Sequence, residues 1–316
     1  MPQLDRNELL DFLPDQLADG VRRLAKRWMK RTGALFLGLG RRKREGSLVD
    51  EWCVKFYVGR KLKRPDKRKK IPGSVSLRLT TRGHQSSIRL PTDVVAVKRL
   101  KHLCTQAGRI AYIYNENSPK TQGSLAALVE EPEMKTQFLL TAGHVGARNL
   151  ETAHANPGER VFDRDGSEVG SLAFAPDMST VPVDAALVSP STTSVSHLLR
   201  RKNDQPVTDV CPLQEVIAGA PDGYTMLSWV KERMMIFHGC SYGVPYTYKV
   251  GVVIFPTLMH FECSATTGDS GALVVDGRNR AVGMHILGIE GEESFCLPID
   301  DVLRKCTPGG PLRIVA

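Results

Sequence analysis

No apolar run in these 316 residues approaches the roughly 18 that a helix needs to cross a bilayer. No heptad pattern persists either, so neither a membrane span nor a coiled coil is expected. The opening MPQLDRNELLDFLPDQLADG mixes acids with leucines and lacks the basic stretch and unbroken apolar core of a secretory signal, which makes the cytoplasm the expected compartment. Seven dispersed cysteines (Cys53, Cys104, Cys211, Cys240, Cys263, Cys296, Cys306) include no Cys-x-x-Cys pair and no Cys/His spacing suited to a metal. They are expected as reduced, mostly buried thiols, with no metal or cofactor. What the chain does have is 41% hydrophobic residues, enough for packed cores.

Acidic residues are scarce in one stretch. Residues 21–70 hold 19 Lys/Arg against four Asp/Glu, a local +15 in a chain whose net charge is +9, so the remainder is net acidic. Such a block is either a solvated basic face or loop, or a docking surface for nucleic acid, anionic lipid or an acidic protein partner.

The first 32 residues read as a basic amphipathic helical segment: after Pro14, Leu17, Val21, Leu24 and Trp28 recur at helical spacing while Arg22, Arg23, Lys26, Arg27 and Lys30 fall mainly on other faces. From residue 33 to 107 the period changes. GALFLGLG, EWCVKFYVGRKL, SVSLRLTTRG and PTDVVAVKRL alternate or run apolar between turn residues, which predicts a small α+β domain of three or four strands. LKRPDKRKKIPG, between its second and third strands, reads as an exposed loop. Residues 108–306 carry short apolar segments at regular spacing (RIAYIYN, GSLAALVE, QFLLTAGHV, GSLAFA, VDAALVS, GVVIFP, GALVVDG, AVGMHILG, SFCLPI), as sandwiches and barrels do, and 307–316 reads as a C-terminal tail.

Three motifs in this last region carry chemistry. Cleaving an amide through a serine requires a hydroxyl, a base beside it, a carboxylate to orient the base, and donors for the oxyanion. His144 ends the apolar run FLLTAGHVG. Asp184 interrupts the apolar VPVDAALVS, where an ionised group must be paired. Ser270 lies in the glycine-rich turn TTGDSGALVV, and the N–H groups of Gly268 and Ser270 can converge on one carbonyl oxygen. Asp163, Asp165 and Asp177 compete for the carboxylate role, but their polar contexts favour turn capping.

TAGH, DAAL and GDSG in this order resemble the trypsin/chymotrypsin superfamily over about residues 110–305. The resemblance implies a mostly β fold, a chymotrypsin-like double β-barrel preceded by the small basic α+β domain. It implies a serine endopeptidase with His144 as base, Asp184 as its orienter and Ser270 as nucleophile, acting on a protein or peptide. Secreted members pair the equivalent of Asp269 with a newly cut N-terminus. No R-IVGG-type sequence precedes the domain here, so Asp269 is expected to find an internal cation or donors. The family places Ser264 at the base of the specificity pocket, which disfavours cleavage after Lys or Arg. AVGMHILG, with His285 and Gly288, is similar to the pocket segment of picornaviral chymotrypsin-like proteases, and glutamyl endopeptidases use a similarly placed histidine. His285 is thus either a reader of Glu or Gln, helped by Ser264 and Thr266, or a packing residue.

Residues 33–98 also resemble, more loosely, the region before the peptidase in bacterial intracellular trypsin-like proteins and plant narrow-leaf-type proteases, which implies limited processing of a selected target. The competing expectation is a catalytically silent, protease-like binding module with a docking front end.

Overall fold

Leucine and valine at helical spacing behind a proline dictate the first element. Helix α1 (Pro14–Thr32) begins where the missing Pro14 N–H would have had no partner, and the Leu13 N–H donates to the Gln16 side chain. It stops at Gly33, whose φ of 74° suits a residue without a Cβ. Leu17, Val21 and Leu24 form the buried stripe expected, each worth roughly 1.5–3 kcal/mol out of water. Trp28 is only partly buried and meets Phe56 edge-on at 6.5 Å. The computed structural model describes residues 12–45, 47–61, 69–81, 84–97, 100, 113–148, 156–191, 205–207, 209–219, 223–229, 231–248, 251–263, 265–289 and 292–315. Most of the charged loop expected after the second strand, residues 62–68, lies outside these.

The front region supplies four strands, β1 (Phe36–Arg44), β2 (Ser47–Val58), β3 (Ser74–Thr81) and β4 (His84–Ala96). The next stretch gives β5 (Ile113–Asn115), β6 (Gln122–Gly123), β7 (Leu125–Glu131), β8 (Thr136–Thr141), the single turn α2 (Gly143–Gly146), β9 (Arg160–Asp163), β10 (Glu168–Phe174) and β11 (Ala186–Pro190). Then come α3 (Leu213–Ala218), β12 (Tyr224–Leu227), β13 (Glu232–Tyr248), β14 (Gly251–Glu262), β15 (Leu273–Asp276), β16 (Ala281–Ile289), β17 (Glu293–Pro298), α4 (Ile299–Lys305) and β18 (Arg313–Val315).

These strands make two curled sheets, and the chain is mostly β with the form of a chymotrypsin-like double β-barrel. One sheet runs β18-β7-β8-β11-β10-β9-β5-β6, so β18, from the C-terminal residues, covers the free side of β7. The other runs β12-β15-β16-β17-β14-β13-β1-β2-β4-β3. An additional β12–β13 pairing closes its first six strands into a ring.

Strand β13 does two jobs along its length. Its beginning pairs with β12, from Glu232 to Met235, while its middle accepts β1 in antiparallel register from Gly40↔Gly239 to Leu37↔Tyr242. Two facing glycines permit that junction: a Cβ on Gly40 would collide with the His238 carbonyl, and one on Gly239 with that of Leu39. The front sheet therefore continues the second barrel without a break in hydrogen bonding. The packing is continuous as well, since one apolar cluster joins Leu17, Leu37 and Phe56 to Met226, Phe261 and Cys296.

Candidate active site

Pairing of β8 with β11 puts Thr141 opposite Ala186, so the turn after β8 and the residues before β11 meet at one end of the sheet. His144 lies in that turn and Asp184 in that approach, and both are fully buried. Asp184 Oδ1 accepts the His144 backbone N–H at 2.9 Å, and Oδ2 accepts from Nδ1 of the imidazole at 2.7 Å. The pairing that an ionised group inside an apolar strand demands is thereby met. Asp163 and Asp177 instead accept backbone N–H groups two to four residues downstream within their own turns, and Asp165 donates to Asp163 in one of them.

Ser270 lies in the other barrel, on a turn that packs against the His144 turn. Positive φ at Gly268 (100°) and Gly271 (88°) bends the chain sharply around it, a conformation that L side chains resist. The Gly271 N–H donates to the His285 carbonyl at 2.8 Å, and the His285 N–H donates to that of Ala272 at 2.9 Å, which fastens the turn to β16. Two glycines then press it onto the His144 turn. A Cβ on Gly271 would lie 3.1 Å from the Ala142 nitrogen, and one on Gly123 would be caught between the Ser270 carbonyl and the Val145 side chain. The Ser270 Oγ is buried and has no hydrogen-bond partner among the described residues.

Asp269, next to this serine, is wholly buried, and the internal cation expected for it is Arg233, at the start of β13. Arg233 Nη1 lies 2.7 Å from both carboxylate oxygens, and its Nη2 donates to Thr266 Oγ1 at 2.8 Å. The Thr266 N–H donates to Asp269 Oδ2 at 2.6 Å, and the Ser228 hydroxyl donates to Oδ1. The internal cation and donors expected for Asp269 are thus both present in this corner.

Of the residues expected around the specificity pocket, Ser264 lies outside the described residues. Thr266 spends its hydroxyl and N–H on the Arg233–Asp269 corner, and Gly288 pairs with Ser294 of the next strand. His285 is fully buried; neither ring nitrogen meets hydrogen-bond geometry among the described residues, although the Asp269 backbone lies near enough to favour the charged ring. Burial pushes its pKa down to about 4 against the pull of the Asp269 carboxylate, so the ring is neutral at pH 7.

Sequence reasoning missed two participants: Arg233 itself and Tyr248. The Tyr248 hydroxyl donates to Asp184 Oδ2 at 3.0 Å from the far end of β13. Burial, reinforced by the Asp184 charge, raises this phenol well above its usual range and keeps it a donor. The six described cysteines are free and buried; burial lifts Cys53 to about 12 and Cys211 to about 11, far from nucleophilic thiolates.

With a double β-barrel and a buried His–Asp pair at the end of its first sheet, the class to compare against is the chymotrypsin-like serine proteases. No family model and no curated protein matches the chain. Among solved structures it is similar to chymotrypsin from Cellulomonas bogoriensis, at 19% identity over 65% of this chain and 96% of that one, with a TM-score of 0.43. It is also similar to an M. tuberculosis protease in its active form, at 15% identity over 58% of this chain and 82% of that one, TM-score 0.36. An HtrA-type protease with a decapeptide follows at 17% identity over 51% and 44% of the two chains, TM-score 0.30. Among the described residues no helix is long and apolar enough to cross a membrane.

Proposed function

We propose that the chain is a serine endopeptidase in which Ser270 attacks the scissile carbonyl, His144 takes and returns the proton, and Asp184 orients the imidazole. The observation that carries this reading is the two-point hold of Asp184 on His144, through backbone and ring at once, which fixes the ring's direction as well as its place. The N–H groups of Gly268 and Ser270 serve the oxyanion, an assignment supported by the positive φ of Gly268. The chemistry needs no metal or cofactor.

His285 reads a glutamine or glutamate at the cleaved position. A neutral imidazole can donate to a side-chain carbonyl, and a buried donor left unpaired costs about 1–3 kcal/mol, so a substrate that pairs with it is preferred. The natural substrate class is a selected protein target cut at few sites. A fluorophosphonate probe should modify Ser270 alone, as located by peptide mass, and the Ser270→Ala variant should take up none. Equal labelling of that variant removes the reading.

A second role belongs to the basic front end, as a dock for an acidic partner or nucleic acid. The observation behind it is a cavity of about 300 Å³ in which Arg60, Lys61, Lys69 and Lys70 stand over Val58 and Ile71. None of the four cations makes an ion pair among the described residues. Binding of a polyanion to the full chain, followed by anisotropy, should weaken steeply as salt rises. Salt-independent binding, or none, removes this role.

A further inference from the structure

We propose that Tyr248 is a positioning residue of this site: its hydroxyl helps to keep the Asp184 carboxylate facing His144. Its kinetic consequence rests on the proteolytic reading; its structural consequence does not.

His144 itself donates twice to Asp184, by backbone and by ring. Bonds from the group being oriented move with that group. Tyr248 donates from the other sheet, independently of the imidazole and onto the same oxygen that receives it. Its own ring has little freedom, being 3% exposed, edge-on to Tyr246 at 5.0 Å and packed on Phe255 at 6.5 Å. The titratable groups around it are Asp184, His144 and Tyr246, and His285 feels the His144 charge from β16.

Arg233 lies near the start of the same strand, so the two ends of β13 hold two buried carboxylates, Asp269 and Asp184. Between those ends, Gly239 to Tyr242 are hydrogen-bonded to β1. The front sheet thereby braces the strand that supplies both holds.

Two donors on one oxygen compete, so removing one strengthens the other. In Tyr248→Phe the proton resonance of His144 Nδ1–H should move downfield. Replacing the tyrosines with 3-fluorotyrosine, a stronger donor of the same size, should move it upfield, and does so even if the phenylalanine variant fails to fold. Tyr246→Phe, which alters the neighbouring ring and leaves the Tyr248 hydroxyl in place, is the control. On peptide substrate, Tyr248→Phe should lose about tenfold in kcat with KM little changed, and the acid limb of its pH–rate profile should move to higher pH, because the imidazolium gains the freed carboxylate charge. A His144 resonance unmoved by fluorotyrosine, or wild-type kcat and pH profile in a folded Tyr248→Phe, overturns the proposal. A resonance that shifts in a protein whose Ser270 takes no probe upholds the positioning role and removes the protease reading. An immobile resonance beside normal labelling does the reverse.

Discussion

Asp184 and Asp269 are both sealed from solvent, both adjoin a residue of the proposed triad, and both accept three or more hydrogen bonds, yet their partners differ in kind. Asp269 faces a guanidinium, whose proton does not leave in a protein, backed by a serine hydroxyl and the threonine beside it. Asp184 faces an imidazole and a phenol. The first corner is a permanent ion pair that fixes the shape of the loop carrying Ser270. The second leaves a proton able to travel, as a general base requires. Identical carboxylates thus acquire different tasks from what each neighbour can release.

Substitution at the two corners should separate those tasks. In Asp184→Asn the amide cannot hold the imidazole in the same tautomer, so peptide turnover should drop by about 10⁴-fold while the thermal midpoint changes little. A large fall in stability without a fall in kcat would invert the comparison. Arg233→Met leaves a buried carboxylate unpaired and should cost about 3–5 kcal/mol in urea unfolding. Arg233→Lys should recover part of that loss. An unchanged urea midpoint for Arg233→Met would show that the pair is not structural.

A smaller effect tests the neutral rings. His285 and His238 are both pushed down to about 4, in each case chiefly by burial, from an ordinary 6.5. In the unfolded chain they take up protons as pH falls through 6.5, but in the folded protein only near 4. Stability is therefore intact above pH 6.5 and drains away towards pH 4, by roughly 3 kcal/mol per ring. Urea midpoints at pH 7.5 and 4.5 check this, and equal values would contradict it.

Much of this was legible in the residues. Each of the nine apolar segments named from residue 108 onward overlaps a strand, and the front region has one helix and four strands, where its periodicity predicted a helix and three or four strands. The His–Asp contact was legible too, because TAGH and an aspartate inside an apolar run are local signals whose meaning does not depend on distant chain. Strand β13 was not, though it is the longest among the described residues. Gly239, Gly243 and Pro245 break its alternation, and its exposure pattern follows three different neighbours along its length rather than one face of a sheet. Arg233 and Tyr248 were hidden for the same reason. Their partners lie 36 and 64 residues away, and neither residue type marks a position unless the strand bearing it is known.

The junction of β1 with β13 also bears on how such a chain can be inherited. Without the front residues, the backbone donors and acceptors of 239–242 would form a bare sheet margin, open to pairing with any passing strand. A gene fragment that encoded only the two barrels would make a protein prone to stick to its own kind. The front segment and the barrels therefore have reason to be duplicated, lost and transferred together.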